Sequence, residues 1–257
     1  MFLEKFAFRT PAIINFVGGG GKTALILSLA EEFSESVRVI YTTTTRIHPP
    51  HPRKRLAILS ADNPELLRMI LHRAAQGETD RVRTFVVTGP AMTPDLLKGV
   101  APEFSSSVDR AVFPVILNEA DGARSMSLKM PRAGEPVLMA NAEYLVPVVG
   151  LDCVNQRLGP ETLFRWEMAA TRYSLKEGET LTPERVVNLL LHPQGVCKGW
   201  QPGMEIIPFI NKVDDERDDA LVRVVAETLL RQATFPVKRV VWGSVQEHRA
   251  GALAAGA

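Results

Sequence analysis

Cysteine is nearly missing from this chain. Cys153 and Cys197 are the only two in 257 residues. They stand far apart and outside any Cys-x-x-Cys spacing, which excludes a disulfide framework and a zinc motif and fits a reducing compartment. Both read as small buried residues. No run of about twenty apolar residues occurs, so no membrane-spanning helix is expected. The opening MFLEKFAFRTPAIINFV sets Glu4, Lys5 and Arg9 among its apolar positions, without the continuous apolar region or cleavage site of a signal peptide. Excess charge of one sign is absent too: 30 basic and 29 acidic residues leave +1, so neither nucleic acid nor a membrane is an expected partner. A cytoplasmic location is expected. What remains is an ordinary globular composition, 46% hydrophobic and 23% charged, ample for a core.

Short apolar runs alternate with segments of helical period. Strands are expected at 12–17, 37–42, 83–88, 113–118, 144–149, 205–210 and 238–243, with 56–60 a weaker eighth. Several are apolar on consecutive residues, as strands covered on both faces are. Asn63-Pro64-Glu65, Thr93-Pro94-Asp95 and Thr182-Pro183-Glu184 each supply a capping oxygen, a proline at the first helical position and an acid at the positive helix end, so each predicts a helix start. Apolar stripes follow at Leu66, Leu67, Ile70, Leu71 and Ala74, and at Leu221, Val224, Val225, Thr228 and Leu229. The alternation predicts an α/β fold: a mostly parallel sheet of about seven or eight strands with helices on both faces. Residues 1–257 read as a single nucleotide-binding domain, with an irregular, partly helical insertion around 150–203. The terminal AGALAAGA is expected to fray.

Residues 16–23 read FVGGGGKT. The four glycines fall between an apolar strand and an amphipathic helix, where backbone N–H groups can curl around phosphate and the helix start adds its positive end. Gly18, Gly19, Gly20 and Gly21 would cradle the phosphates, Lys22 would reach the β- and γ-phosphates, and Thr23 would place its hydroxyl on Mg²⁺. Phe16 occupies the position of the first glycine of G-x-x-x-x-G-K-[ST]. What remains is a tighter G-x-x-G-K-T loop, like that of nucleotide-dependent amide ligases.

Three further segments complete the expected site. In FPVILNEADGAR, Glu119 and Asp121 end an apolar strand, where an acid binds Mg²⁺ or orients water; Asp121 is favoured for the metal and Glu119 as acid or base. In IIPFINKVDDE, Asn211-Lys212-Val213-Asp214 has the N-K-x-D pattern of GTP-binding proteins. There an Asp accepts two hydrogen bonds from guanine, the lysine stem lies against the base and the Asn holds the loop. Ser244 follows the next strand, where a second base-contacting loop is expected. In YTTTTRIHPPHPRKR, the Thr42 to Thr45 hydroxyls approach the metal or γ-phosphate, with Thr44 taken as a ligand. Arg46, Arg53, Lys54 and Arg55 suit an anion, and His48 and His51 have a spacing that could hold a metal. Lys129, Glu135, Arg157 and Arg165 could line a second site.

Taken in order, FVGGGGKT, the TTTTRI run, NEADGARSMSLKMP with the following GEP, and INKVD resemble the YqeC family, whose members are described as accessory proteins of selenium-dependent molybdenum hydroxylases. The resemblance runs from about residue 12 to about 245. It implies a P-loop NTPase-like fold and a role in maturing a molybdenum enzyme or its cofactor. The family's signature falls on Gly18 to Thr23, Thr42 to Thr45, Glu119 to Ala123, Lys129, Pro131 and Glu135-Pro136.

Three functions compete on these residues. The first is an NTPase that binds GTP, in preference to ATP, with Mg²⁺ and serves a molybdenum hydroxylase, its cofactor or another maturation protein. The second is a small-molecule kinase or acid-activating ligase acting on an anionic, pterin- or nucleotide-like substrate. The third is a nucleotide-binding module that does not hydrolyse.

Overall fold

The computed structural model describes residues 1–51, 53, 55–76 and 82–256. In chain order the described elements are α1 (Phe2–Phe6), β1 (Ala12–Gly18), α2 (Lys22–Ser34), β2 (Val39–Thr43), β3 (Arg46–Ile47), β4 (Leu56–Ser60) and α3 (Pro64–Gln76). Then come β5 (Thr84–Thr88), β6 (Ala91–Thr93), β7 (Leu96–Lys98), β8 (Val115–Glu119), β9 (Tyr144–Gly150), α4 (Trp166–Tyr173) and α5 (Pro183–Leu191). The chain closes with β10 (Glu205–Ile206), β11 (Phe209–Asn211), α6 (Asp219–Gln232), β12 (Arg239–Ser244) and β13 (Arg249–Ala254).

The main sheet has the order β13-β12-β11-β9-β1-β8-β2-β5-β4, with β10 also on β9. Every pair in it is parallel except β12 with β13. The fold is therefore mixed α/β on a large, mostly parallel sheet, with ten strands where seven or eight were expected. Pro208 accounts for one extra strand: lacking an N–H, it divides the expected 205–210 strand into β10 and β11. The chain end accounts for another.

That chain end corrects an expectation. Instead of fraying, residues 249–254 pair antiparallel with β12. The Trp242 ring lies against Gly251, where any Cβ would meet the indole at 2.6 Å. Such cover of a backbone glycine by an aromatic ring steadies an edge strand. The second correction concerns Thr93-Pro94-Asp95, where Thr93 ends β6 and Pro94-Asp95 turn the chain into β7 rather than starting a helix. Gly99 and Pro102 leave too few residues for a helix, and Pro suits a turn equally well. With β3, the hairpin makes a separate small sheet of order β3-β7-β6. The other two starts are as read: Asn63 Oδ1 accepts from the Leu66 N–H at 2.8 Å, and Thr182 Oγ1 from the Arg185 N–H at 3.4 Å.

Alternation along β1 distributes its side chains to both faces. Ile14 and Phe16 pack with Leu25, Leu29 and Phe33 of α2, whereas Ile13 joins Leu67 and Leu71 of α3, and Val17 joins Val187 of α5 and Val225 of α6. The stripe on α6 is turned from the expected one, since Val222 and Ala226 are buried while Val224 is exposed. On α3, Leu66 likewise points outward. The 150–203 segment packs into the main core: Leu151, Leu158, Leu163 and Leu181 share one apolar cluster with β9 and α6. No helix among the described residues is long and apolar enough to cross a membrane.

Parallel pairing has one consequence for function. It brings the carboxyl ends of β1 (Gly18), β2 (Thr43), β8 (Glu119), β9 (Gly150), β11 (Asn211) and β12 (Ser244) to the same edge of the sheet. This edge is where open α/β sheets place ligands.

Deleting residues 250–257 tests the reading of β13. It removes five cross-strand pairs at ~0.2–1 kcal/mol each, so unfolding in urea should show a loss of roughly 1–5 kcal/mol. A frayed tail would give no change.

Candidate functional site

The glycine loop is wedged among three other segments. Gly20 has φ +72°, and a Cβ there would be driven into the Gly150 amide. Gly21, the N-cap of α2, has φ +104°, and a Cβ there would come within 2.6 Å of Asn211 Nδ2. Only glycine combines these dihedrals with such close approach. The loop amides do not all face a common centre, as the sequence led one to expect. The Gly18 N–H donates to both Asp121 carboxylate oxygens at 3.1 Å. The Gly19 N–H donates to Val148 O at 2.9 Å, and the Gly20 N–H to Met126 O at 2.8 Å. The amides left for an anion are those opening α2, which no side chain caps.

Lys22, on the first turn of α2, is buried and folds back over the loop. Its Nζ donates to Gly18 O at 2.6 Å and lies 3.1 Å from Asp121 Oδ1 and 3.8 Å from Glu119 Oε1. Thr23 Oγ1 donates to Glu119 Oε2 at 2.9 Å, and so does the Tyr41 hydroxyl at 3.1 Å. Burial pushes the Glu119 carboxyl above the usual range, against the opposing pull of Lys22, Thr23 and Tyr41. The Tyr41 phenol is raised by its own burial and then by the Glu119 charge. Lys22, Thr23, Glu119 and Asp121, predicted separately, thus converge at the ends of two adjacent strands.

Behind them lies a second charged layer. Lys129 is fully buried; its Nζ is 3.1 Å from Asp121 Oδ2 and donates to Glu135 Oε2 at 2.8 Å and Gly122 O at 2.9 Å. Arg165 grips Glu135 through two bonds of 2.7 and 3.0 Å and stacks over Phe164, 4.5 Å from the ring centre. Arg132 Nε stands 2.9 Å from Glu135 Oε1. Burial alone would raise the Glu135 carboxyl, but hydrogen bonds and charge from Arg165 and Lys129 hold it down at about 2. Of the four residues proposed for a second site, Lys129, Glu135 and Arg165 meet. Arg157 does not join them; its Nη1 donates to Gly178 O.

Asn211 braces the base-side loops. Its Nδ2 donates to Gly20 O at 2.7 Å, and its Oδ1 accepts from the Val245 N–H at 3.2 Å. The Val213 N–H donates to Gly243 O, drawing the 211–214 segment against the end of β12. There the Ser244 hydroxyl accepts from the Glu247 N–H. The Asp214 carboxylate is exposed and has no hydrogen-bond partner among the described residues. Lys212 is engaged elsewhere, with its Nζ 2.6 Å from Ser127 Oγ and 2.7 Å from Asp152 Oδ2. The helix-capping role at this point belongs to Asp215.

Other candidates lie outside the cluster. Thr44 donates to Val137 O and accepts from Asn118 Nδ2 at 3.2 Å, so its hydroxyl is not directed at Thr23 or Asp121. The neighbouring Thr43 reaches the end of β8, donating to Glu119 O at 2.7 Å. His48 Nδ1 bonds Asp95 O, and Arg53 stands 3.5 Å from Glu31; Lys54 lies outside the described residues. Among the described residues no three His, Cys, Asp or Glu side chains form a metal-holding group. Both cysteines are free and buried, and burial lifts the Cys153 thiol to about 12. Sequence reasoning missed Tyr41, Arg132 and the Met126–Ser127 segment. Only Arg132 left a signal, three residues before an acid.

The class defined by this fold and site is an α/β protein with a strand, a glycine loop and a helix opening on Lys-Thr, flanked by two acids at the end of the adjacent strand. The chain belongs to the YqeC family: the family's sequence model, described as YqeC protein, matches residues 14–167. A relative in Escherichia coli (strain K12), named "Uncharacterized protein YqeC", is 29% identical over 251 residues, 97% of this chain and 94% of the relative. No solved structure matches the chain.

Glu135 makes the charged layer testable by pH. Its carboxyl is depressed from 4.5 to about 2, so the stability it contributes is present above pH 4.5 and is lost as pH falls toward 2. Glu135→Gln should cost ~3 kcal/mol in urea unfolding at pH 7. The gap from wild type should narrow below pH 4.5 and close near pH 2. A constant gap would contradict this assignment.

Proposed function

We propose that this protein is a Mg²⁺-dependent, nucleoside triphosphate-binding and hydrolysing accessory protein that favours GTP over ATP. It serves the maturation of a selenium-dependent molybdenum hydroxylase or its cofactor. The observation that carries the nucleotide reading is the convergence of Lys22, Thr23, Glu119 and Asp121 at the start of α2. A buried ammonium, a hydroxyl and uncapped helix amides are what a triphosphate tail requires. The maturation role rests on the YqeC resemblance alone.

The donor set suits Mg²⁺, which keeps several waters and binds through one or two carboxylates and the substrate's own phosphates. Thr23 and Glu119 are the residues to hold it, since they already share a hydrogen bond. Asp121, placed between two ammonium groups, is the less suitable ligand of the two acids. When bound, the ion would neutralise charge on the phosphates. Among the protein's own groups, Lys22 would leave Asp121 for phosphate, and Tyr41 would keep the Glu119 carboxylate oriented toward the ion.

Guanine preference rests on Asp214. Its unengaged carboxylate can accept from two N–H groups of one base edge, and Asn211 ties its loop to the glycine loop. Adenine offers no such pair of donors. Titration of GTP and ATP, each with Mg²⁺, onto the purified protein tests this. GTP should bind at least tenfold more tightly, Lys22→Ala should weaken both, and Asp214→Ala should abolish the preference. Equal affinities would remove the guanine claim, and no binding of either would remove the function. Turnover seen only with an added small acid would shift the reading to a ligase or kinase.

A further inference from the structure

A second concavity lies on the same sheet edge, beyond β2. Its volume is about 490 Å³, within the range of small-molecule sites. It sits at the carboxyl ends of β2, β5 and β4, where Thr44, Gly89 and Ala61 line it, and the Lys98–Ala101 segment after β7 forms one wall. Two to four strand spacings of ~4.8 Å separate these ends from β1, so it stands roughly 10–19 Å from the glycine loop.

Leu67, Val100 and Phe104 give the cavity an apolar floor; all three are buried and belong to one core cluster. Its rim is charged. Asp62, Lys98 and Glu103 line it, all exposed, and none has a side-chain hydrogen bond or ion pair among the described residues. Two carboxylates against one ammonium disfavour an anion. The first turn of α3 offers an anion little either, because Asn63 caps it and Asp62 stands beside it. Acceptors predominate at the edge of an apolar floor.

We infer that this cavity is a binding site for a flat, neutral or weakly basic nitrogen heterocycle of one or two rings. Its face rests on Leu67, Val100 and Phe104. Its exocyclic amino and ring N–H groups donate to Asp62 and Glu103, while Lys98 donates to a ring nitrogen or carbonyl. The site stands apart from the nucleotide reading and does not depend on it. The two sites share the end of β2: Thr43 bonds to the Glu119 carbonyl, and Thr44 lines the cavity.

Ligand-observed NMR with 2-aminoquinoline and 2-naphthoate, matched in ring size and opposite in hydrogen-bonding character, tests the assignment. 2-Aminoquinoline should bind with a sub-millimolar dissociation constant, at least tenfold more tightly than 2-naphthoate. Ala101→Trp, which fills the cavity from an exposed lining position, should abolish binding. The double variant Asp62→Asn with Glu103→Gln, on the exposed rim, should weaken it severalfold. Lys22→Ala should leave it unchanged. Absence of binding, equal binding of the two probes, indifference to both cavity variants or sensitivity to Lys22→Ala would each overturn the inference.

Discussion

The Asp121 carboxylate sits between two ammonium groups, those of Lys22 and Lys129, and also accepts the Gly18 N–H. Withdrawing such charges from water costs several kcal/mol per ion, so they are stable only while each keeps a partner. Asp121 supplies that partner for Lys22 and sets the entry of the glycine loop at once. An anion arriving at Lys22 must compete with it. Phosphate binding and release of Asp121 are then two sides of one equilibrium, and the ligand's affinity includes the work of displacement. Lys129 explains how release can be tolerated. It keeps Glu135 and the Gly122 carbonyl, and Glu135 is held in turn by Arg165 and Arg132. Asp121 can leave without stranding a buried cation.

The sheet makes this arrangement possible. Parallel pairing of β1 with β8 and β9 brings the loop, the acids and the 148–150 turn together with no long connection over the surface. The four glycines follow from that crowding as much as from any ligand, since the loop must pass between the 126–128 segment, Gly150 and Asn211. The brace from Asn211 to both Gly20 and Val245 links the phosphate end of the proposed site to its base end.

Much of this was legible in the chain. All eight expected strands occur, because consecutive apolar residues bounded by Gly, Pro or polar clusters leave little choice of structure. The short strands β3, β6 and β7 were not legible, since two or three residues carry no period. The Thr93-Pro94-Asp95 start failed because cap and turn use the same residue types. Lys22, Thr23, Glu119 and Asp121 were readable as ligand-bearing types at strand ends. The contacts among them were not, because Asp121 on Gly18 and Tyr41 on Glu119 join positions 103 and 78 residues apart. Thr44 was favoured over Thr43 because four threonines in a row give no clue to which hydroxyl reaches Glu119.

Calorimetric titration of the Asp121→Asn variant with GTP in the absence of Mg²⁺ bears most directly on this account. If Asp121 is the internal anion that competes with phosphate for Lys22, removing its charge should tighten Mg²⁺-free binding by about tenfold or more, ~1.4 kcal/mol. Affinity equal to or weaker than that of the wild-type protein would contradict it.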